Sequence, residues 1–352
     1  MTVAGLVCTL RAVGAADRAV AGGKGAGLGE LHRAGLPVPP GFVVTVPAFR
    51  RAMHAADPGG TTEADMAALS RHDAATIEAA TAAIRARIVA APLPGDVAAA
   101  VTAAYAALGA DVPVAVRSSA IGEDTGEASF AGLQDTYLWV SGAAAVLDHV
   151  RRCWASLYNT EAVSYRLRQK MPQRDVAMAV VVQQMVDPRS AGVMFTCSPT
   201  TGDRSVIAIE GSWGLGSVLV GGEVTPDSFV VSKVTGEIVR RTVSEKVRLH
   251  RQAPEGQGTW SVDVAAGLRS RPCLTDEEIR ALARLGSQVE RHYGTPQDIE
   301  WAIAGEQILL LQSRAETVWS SRTQGPLATP KERPMDHVFE QLSRPVLTRG
   351  DD

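Results

Sequence analysis

The 352 residues carry 35 Lys and Arg against 38 Asp and Glu, with no long run of either sign, so charge points to neither a nucleic-acid partner nor a membrane surface. At 45% hydrophobic and 21% charged, the chain has an ordinary globular composition and enough length for two or three packed units. No apolar run approaches the roughly 18 residues of a membrane span, and the first residues lack a signal peptide's basic n-region and cleavage site, so a cytoplasmic location is expected.

Residues 3 to 20 are weakly apolar. They lead into A-G-G-K-G-A-G-L-G-E-L-H-R-A-G, where five glycines surround Lys24 and a helix-like segment follows over residues 28 to 33. Glycines let backbone N–H groups approach a phosphate, and a helix N-terminus adds a favourable dipole. Gly25 stands where a Walker A loop needs Ser or Thr, and the spacing is not G-x-G-x-x-G. A phosphate cradle and a plain turn before a helix both fit this loop.

Residues 36 to 49 hold prolines that forbid helix, around a short β run at 42 to 46. Alanine-rich helical segments then fill residues 48 to 108, broken near Pro58 and Pro92, as a helical subdomain without chemistry of its own. Residues 112 to 120, V-P-V-A-V-R-S-S-A, read as a buried strand carrying Arg117, Ser118 and Ser119. An arginine leaving a strand beside hydroxyls and glycines suits a phosphate oxygen, or pairs with Glu123 or Asp124 at a solvated loop. Ser129 to Gly132 could close as a lid over a ligand, with Gly132 as its flexible point.

A strand is expected over 133 to 140 and one helix over 143 to 170, its Trp154, Tyr158 and Tyr165 forming a packed stripe. The apolar run 175 to 186 is a strand, and the segment 186 to 192 resembles a hinge between lobes. A purine there would use backbone N–H and C=O groups against the apolar walls of Met185 and Val186. Further strands are read at 205 to 210, 229 to 232 and 237 to 243, with a second Gly-rich loop, G-S-W-G-L-G-S-V-L-V-G-G-E, between the first two. Residues 246 to 271 are polar and read as surface loop. Thr275 as N-cap, Glu277 and Glu278 in the first turn and Gly294 as stop define a helix. Cys8, Cys153, Cys197 and Cys273 form no C-x-x-C pair or zinc spacing, and are expected to pack in a reducing compartment.

That helix delivers P-Q-D-I-E-W-A-I-A-G-E-Q-I-L-L-L-Q-S-R-A-E-T-V, residues 296 to 318, which reads as a β-hairpin turning at Gly305. With a three-residue loop, Ala304 pairs with Ile308, Glu300 lies opposite Gln312, and Asp298 opposite Arg314. A carboxylate, an amide oxygen and a guanidinium then share one face. A hard cation wants such oxygens, and a polyphosphate wants such a cation and an arginine. From this stretch alone, an edge hairpin with polar residues facing water fits equally well.

The order of the pieces narrows the reading. G-G-K-G-A-G-L-G-E-L, L-P-V-P-P-G-F, V-A-V-R-S-S-A-I-G-E-D, S-F-A-G-L-Q-D-T, V-Q-Q-M-V, A-G-V-M-F-T, D-I-E-W and L-L-L-Q-S-R-A-E-T-V follow one another over residues 20 to 318. Together they resemble the ATP-binding domain of the phosphoenolpyruvate synthase, pyruvate phosphate dikinase and rifampicin phosphotransferase family. The resemblance implies an α+β, ATP-grasp-like fold with two lobes clamping ATP and a helical subdomain. Residues 1 to 187 would form the N-terminal lobe, 188 to 318 the C-terminal lobe, and 319 to 352 a polar tail or linker.

The resemblance also implies roles. Lys24 and Arg117 would hold phosphates, with Gly132 and Thr136 in the lid. Gln183, Met185 and Val186 would line the adenine pocket. Glu300 and Gln312 would coordinate Mg2+, and Arg314 would contact the transferring phosphates, so Lys24, Arg117 and Arg314 are the expected catalytic set. Members resembling this chain pass the β-phosphoryl group of ATP to a histidine on a swivelling domain, leaving AMP and phosphate. Here Ala315 replaces the proline of Q-A-R-P-E-T, and none of the seven histidines sits in a G-G-x-x-x-H motif. The expected partner is therefore a histidine-bearing phosphocarrier on a separate subunit, as in phenylphosphate synthases and 4-cresol phosphorylating systems, with a small-molecule acceptor such as a phenol. An isolated N-terminal part of a longer phosphotransferase and a non-catalytic nucleotide sensor are the alternatives.

Overall fold

The computed structural model describes residues 5–69, 74–121, 124–125, 128–129, 135–169, 171 and 176–319. Strand β1 (Val7–Thr9) leads through two short 3-10 turns into α1 (Arg18–Arg33) and β2 (Gly41–Val44). Helices α2 (Val46–Ala56), α3 (Thr61–Ala68), α4 (Ala74–Ala90) and α5 (Gly95–Leu108) follow. Next come β3 (Val114–Ala120), the short pair β4 (Asp124–Thr125) and β5 (Ala128–Ser129), and β6 (Thr136–Val140). Helices α6 (Ala143–Ser156) and α7 (Thr160–Arg168) precede β7 (Met178–Gln184). The first sheet is antiparallel, in the order β1-β2-β7-β3-β6.

β7 explains this arrangement. Its run M-A-V-V-V-Q-Q is buried from Met178 to Gln183, as a middle strand covered on both faces must be. On one face α1 lies so close that a Cβ on Gly25 would stand 3.2 Å from Val43 Cγ2. On the other, Cys153 of α6 reaches the carbonyl of Val116. Trp154 is fully buried and meets Phe49 edge-on at 5.9 Å, whereas Tyr158 and Tyr165 of the expected stripe are only half-buried, and Tyr165 lies on a different helix.

Two local expectations are corrected here. Pro47 does not forbid helix, because it falls in the first turn of α2, where the missing N–H would be unsatisfied anyway. The single helix expected over 143 to 170 is two. Asn159 turns extended (φ −62°, ψ 143°) and donates its amide to Asp135 Oδ1 at 3.3 Å, a tertiary contact that helical backbone would forfeit.

The second sheet is also antiparallel, in the order β11-β10-β9-β8-β14-β15. It comprises β8 (Ser190–Phe195), β9 (Val206–Trp213), β10 (Asp227–Ser232), β11 (Ile238–Thr242), β14 (Gln297–Ala304) and β15 (Gln307–Ala315), with α8 (Ser217–Val220) between β9 and β10. Residues 246 to 271 are not a loop. They form a separate hairpin, β12 (Arg248–Gln252) with β13 (Thr259–Asp263), followed by α9 (Ala266–Arg269). Lys246 at its base is fully buried, donating to Asp227 Oδ1 and the Ser244 carbonyl, each at 2.7 Å. The Asp227 carboxylate also accepts the N–H groups of Ser244 and Cys273. The Lys246 and Asp227 charges can lie in the interior because each finds partners there.

α10 (Asp276–Tyr293) has the predicted ends: a Thr275–Glu278 capping box, and Gly294 at φ 72° as its stop. Its buried stripe, Ile279, Leu282, Ala283, Gly286 and Val289, covers the second sheet. All four cysteines are free and buried, and burial pushes the Cys8 thiol up to about 11. Among the described residues, no single helix is long and apolar enough to cross a membrane. Residues 1–316 form one compact unit. The predicted tail falls in a second unit, and beyond Trp319 it lies outside the described residues.

Candidate active site

β14 and β15 join through two residues, Gly305 and Glu306, rather than the expected three. Gly305 adopts φ 58°, the positive value that tight hairpins need at this position. Ala304 therefore pairs with Gln307, which by itself would shift every later pair by one. A bulge at Leu311 restores the count. Beyond it Glu300 faces Gln312 and Asp298 faces Arg314, the two pairs read from the sequence.

The bulge also serves the site. Arg117, on β3 of the other sheet, donates Nη1 to the Leu311 carbonyl at 2.8 Å. Its Nη2 donates to Glu300 Oε2 at 3.0 Å and to Gln312 Oε1 at 2.8 Å. The arginine side chain is only 11% exposed. A single guanidinium thus bridges the two oxygens expected to hold a metal, and ties one sheet to the other.

Around this contact lies a cavity of about 250 Å³ between the sheets. Of the expected residues, Arg117, Thr136, Gln183, Met185, Val186 and Glu300 line it. Register explains the grouping: Thr136 pairs with Arg117, and Arg117 and Gln183 project from one face of the first sheet. Gln183 is buried, its amide donating to the Pro39 carbonyl at 3.4 Å. The hinge differs from expectation in one respect. The Met185 N–H is already donated to the Pro113 carbonyl at 2.8 Å, and that of Gln184 to Pro40, also at 2.8 Å, so neither can serve a purine.

Lys24 sits at the start of a helix, earlier than the expected Leu28. α1 is broken at Gly22 (φ 68°, ψ 178°), and its regular turns begin at the next residue. Gly22 is required twice over, since a Cβ there would also fall 2.0 Å from the Ser119 carbonyl oxygen. Ser119 Oγ donates to the Ala21 carbonyl and accepts the Gly25 N–H, pinning the glycine loop to the strand that carries Arg117. Lys24 is half-buried there.

Arg314 does not line the cavity. It pairs with Asp298, with Nε and Nη2 each 2.8 Å from Oδ2. Burial raises the Asp298 carboxyl, and the Arg314 charge pulls it back. Gly132 lies outside the described residues, as does most of the predicted lid.

Sequence reading missed the wall supplied by Leu215, Ser217, Leu219 and Val220, which the second Gly-rich loop positions. It also missed Glu210. Cross-strand register places Glu210, Val193 and Glu300 in one row on the same face, and burial raises the Glu210 carboxyl. Alternation within β9 put Glu210 on a face, but no local signal said which strand would lie beside it.

Residues 18–334 match the family described as the pyruvate phosphate dikinase AMP/ATP-binding domain. A probable phosphoenolpyruvate synthase of Methanothermobacter thermautotrophicus is 43% identical over 343 residues, 96% of this chain and 48% of that protein. A rifampicin phosphotransferase of a Streptomyces species is 46% identical over 314 residues, 89% of this chain and 36% of its own. A phosphoenolpyruvate synthase of Aeropyrum pernix is 41% identical, covering 92% of this chain and 44% of that protein. The chain thus spans half or less of the length of these relatives. The solved D-alanyl-alanine synthetase A of Vibrio cholerae aligns over 63% of this chain and 47% of its own at 12% identity, with a TM-score of 0.26, too distant to specify the fold.

Proposed function

The chain belongs to the pyruvate phosphate dikinase AMP/ATP-binding domain family, and from that premise we propose that it is the ATP-binding part of a phosphotransferase. It clamps Mg-ATP between its two sheets in an ATP-grasp-like manner and passes the β-phosphoryl group to a histidine on a separate phosphocarrier, leaving AMP and phosphate. The carrier then phosphorylates a small organic acceptor such as a phenol. The observation that carries this reading is Arg117, reaching from the first sheet to Glu300 and Gln312 of the second, with Arg117 and Glu300 both lining one cavity.

The side chains fit a magnesium ion. Glu300 Oε2 and Gln312 Oε1 already share one cation, the Arg117 guanidinium, and a Mg2+ carried on a polyphosphate needs only one or two protein oxygens. Once bound between these oxygens, Mg2+ would supply charge neutralisation of the polyphosphate. Arg117 would turn its guanidinium to a phosphate, with Lys24 at the helix start adding a second positive charge, and Arg314 would reach the phosphates only by leaving Asp298. Phosphoryl transfer asks little covalent chemistry of the protein, so positioning and charge are what these residues contribute. At the hinge, Val186 is the candidate N–H donor to a purine, since those of Gln184 and Met185 are engaged.

ATP labelled at the β-phosphorus, incubated with this chain and a candidate carrier, tests the proposal. Label on a carrier histidine with release of AMP is the expected result. Label retained in ATP, with nucleotide bound, would leave a sensor in its place. The relatives' greater length favours a second reading, in which the same site serves a histidine on the same polypeptide. A longer version of the chain that labels itself without a carrier would select it.

A further inference from the structure

Ser217, the first residue of α8, lines the cavity, and its Oγ lies 2.9 Å from His250 Nδ1. The other ring nitrogen, Nε2, lies 3.1 Å from Glu223 Oε1 and 3.2 Å from Oε2. The His250 side chain is 13% exposed, whereas the Glu223 side chain, at 42%, meets solvent. The contact is built in. The Leu215 N–H is donated to the His250 carbonyl at 2.9 Å, and that carbonyl fills the space where Gly214 would carry a Cβ. Three side chains from three segments thus form a relay ending at the cavity wall, and the proposed phosphate and metal roles use none of them.

The relay decides what Ser217 can offer. An ionised carboxylate only accepts, so Nε2 must carry the hydrogen that faces Glu223. In the neutral imidazole Nδ1 then holds only a lone pair, and the Ser217 hydroxyl spends its single hydrogen on it. What remains toward the cavity is oxygen lone pairs. Resting on the reading of this cavity as the nucleotide site, we propose that Ser217 accepts a hydrogen bond from a sugar hydroxyl of the nucleotide. His250 and Glu223 act as positioning residues that keep it an acceptor.

The position fits a sugar. The phosphate end is fixed by Arg117 and Glu300, and the base end by Met185, Val186 and the apolar residues of α8. A ribose joins the two, and its hydroxyls are donors. Thr136 stands beside Arg117, and Gln183 is turned to Pro39, which leaves Ser217 as the hydroxyl on the second-sheet side of the cavity.

Binding measurements on the full chain with ATP, 2′-deoxy-ATP, 3′-deoxy-ATP and N6-methyl-ATP test the assignment. Wild type should bind one of the deoxy analogues about three- to tenfold more weakly than ATP, the worth of one hydrogen bond. Ser217→Ala should bind ATP and that analogue equally. His250→Leu should lose the same discrimination. His250→Asn, whose Oδ1 can fall where Nδ1 was, should restore it, a rescue that a merely structural histidine would not show. ATP binding with undiminished deoxy discrimination in Ser217→Ala overturns the sugar contact alone. A loss of discrimination confined to N6-methyl-ATP moves the contact to the base and likewise overturns it. If the wild-type chain binds no adenine nucleotide, the reading of the cavity itself fails.

Discussion

Arg117 and Glu300 are 183 positions apart in the chain and 3.0 Å apart in the structure. The guanidinium stands where a metal shared by Glu300 and Gln312 would stand, so under the proposed function the arginine and the metal would compete for the same oxygens. Arg117→Met should therefore bind Mn2+, read by electron paramagnetic resonance without nucleotide, several-fold more tightly than wild type. The same variant should lose on the order of 2–4 kcal/mol of transition-state stabilisation in phosphoryl transfer. Unchanged Mn2+ affinity would place the metal elsewhere, and near-wild-type rates would make Arg117 structural.

Glu300→Ala and Gln312→Ala should each abolish transfer while weakening nucleotide binding only moderately, because the hinge at Met185 and Val186 is untouched. Calorimetric titration with a non-hydrolysable ATP analogue, set against turnover at limiting magnesium, separates the two effects. Wild-type turnover in either variant would exclude that residue as a metal ligand.

Lys246→Met should be among the most destabilising single changes away from the cavity. It strands the Asp227 carboxylate in a fully buried site, where loss of one partner of an ion pair costs about 3–5 kcal/mol. Adding Asp227→Asn should recover part of that loss in urea unfolding. A single variant that unfolds at the wild-type urea concentration would mean that water reaches the site.

Glu30 on α1 accepts the Ala15 N–H at 2.9 Å and meets His292 of α10 at 2.8 Å, and these contacts hold its carboxyl below the usual 4.5. A depressed carboxylate stabilises the fold above its unfolded pKa, and that stability is lost as pH falls through the folded value. The stability difference between wild type and Glu30→Gln should thus shrink as the pH falls below about 5. A difference that grows on acidification would refute the assigned direction.

Much of the second sheet and α10 was legible in the sequence because its signals are local. Thr275, Glu278 and Gly294 mark a helix within 20 residues, and period-two alternation marks β14 and β15. The pairing of Glu300 with Gln312 was also readable, although by compensation: a loop one residue shorter than expected is offset by the bulge at Leu311. The motif order carried the family, which the comparison over residues 18–334 bears out.

What the sequence by itself determined, then, is the kind of each element, which residues share a face, and the chemical types gathered for an ATP site. Only the tertiary structure decided that Arg117 would bridge Glu300 and Gln312, that Lys246 would lie in the interior rather than on a loop, and that Ser217, His250 and Glu223 would align. The physical reason is range. Helix caps and strand alternation act over a few residues, whereas these contacts depend on which strand lies beside which, and on partners that compensate a buried charge from far along the chain.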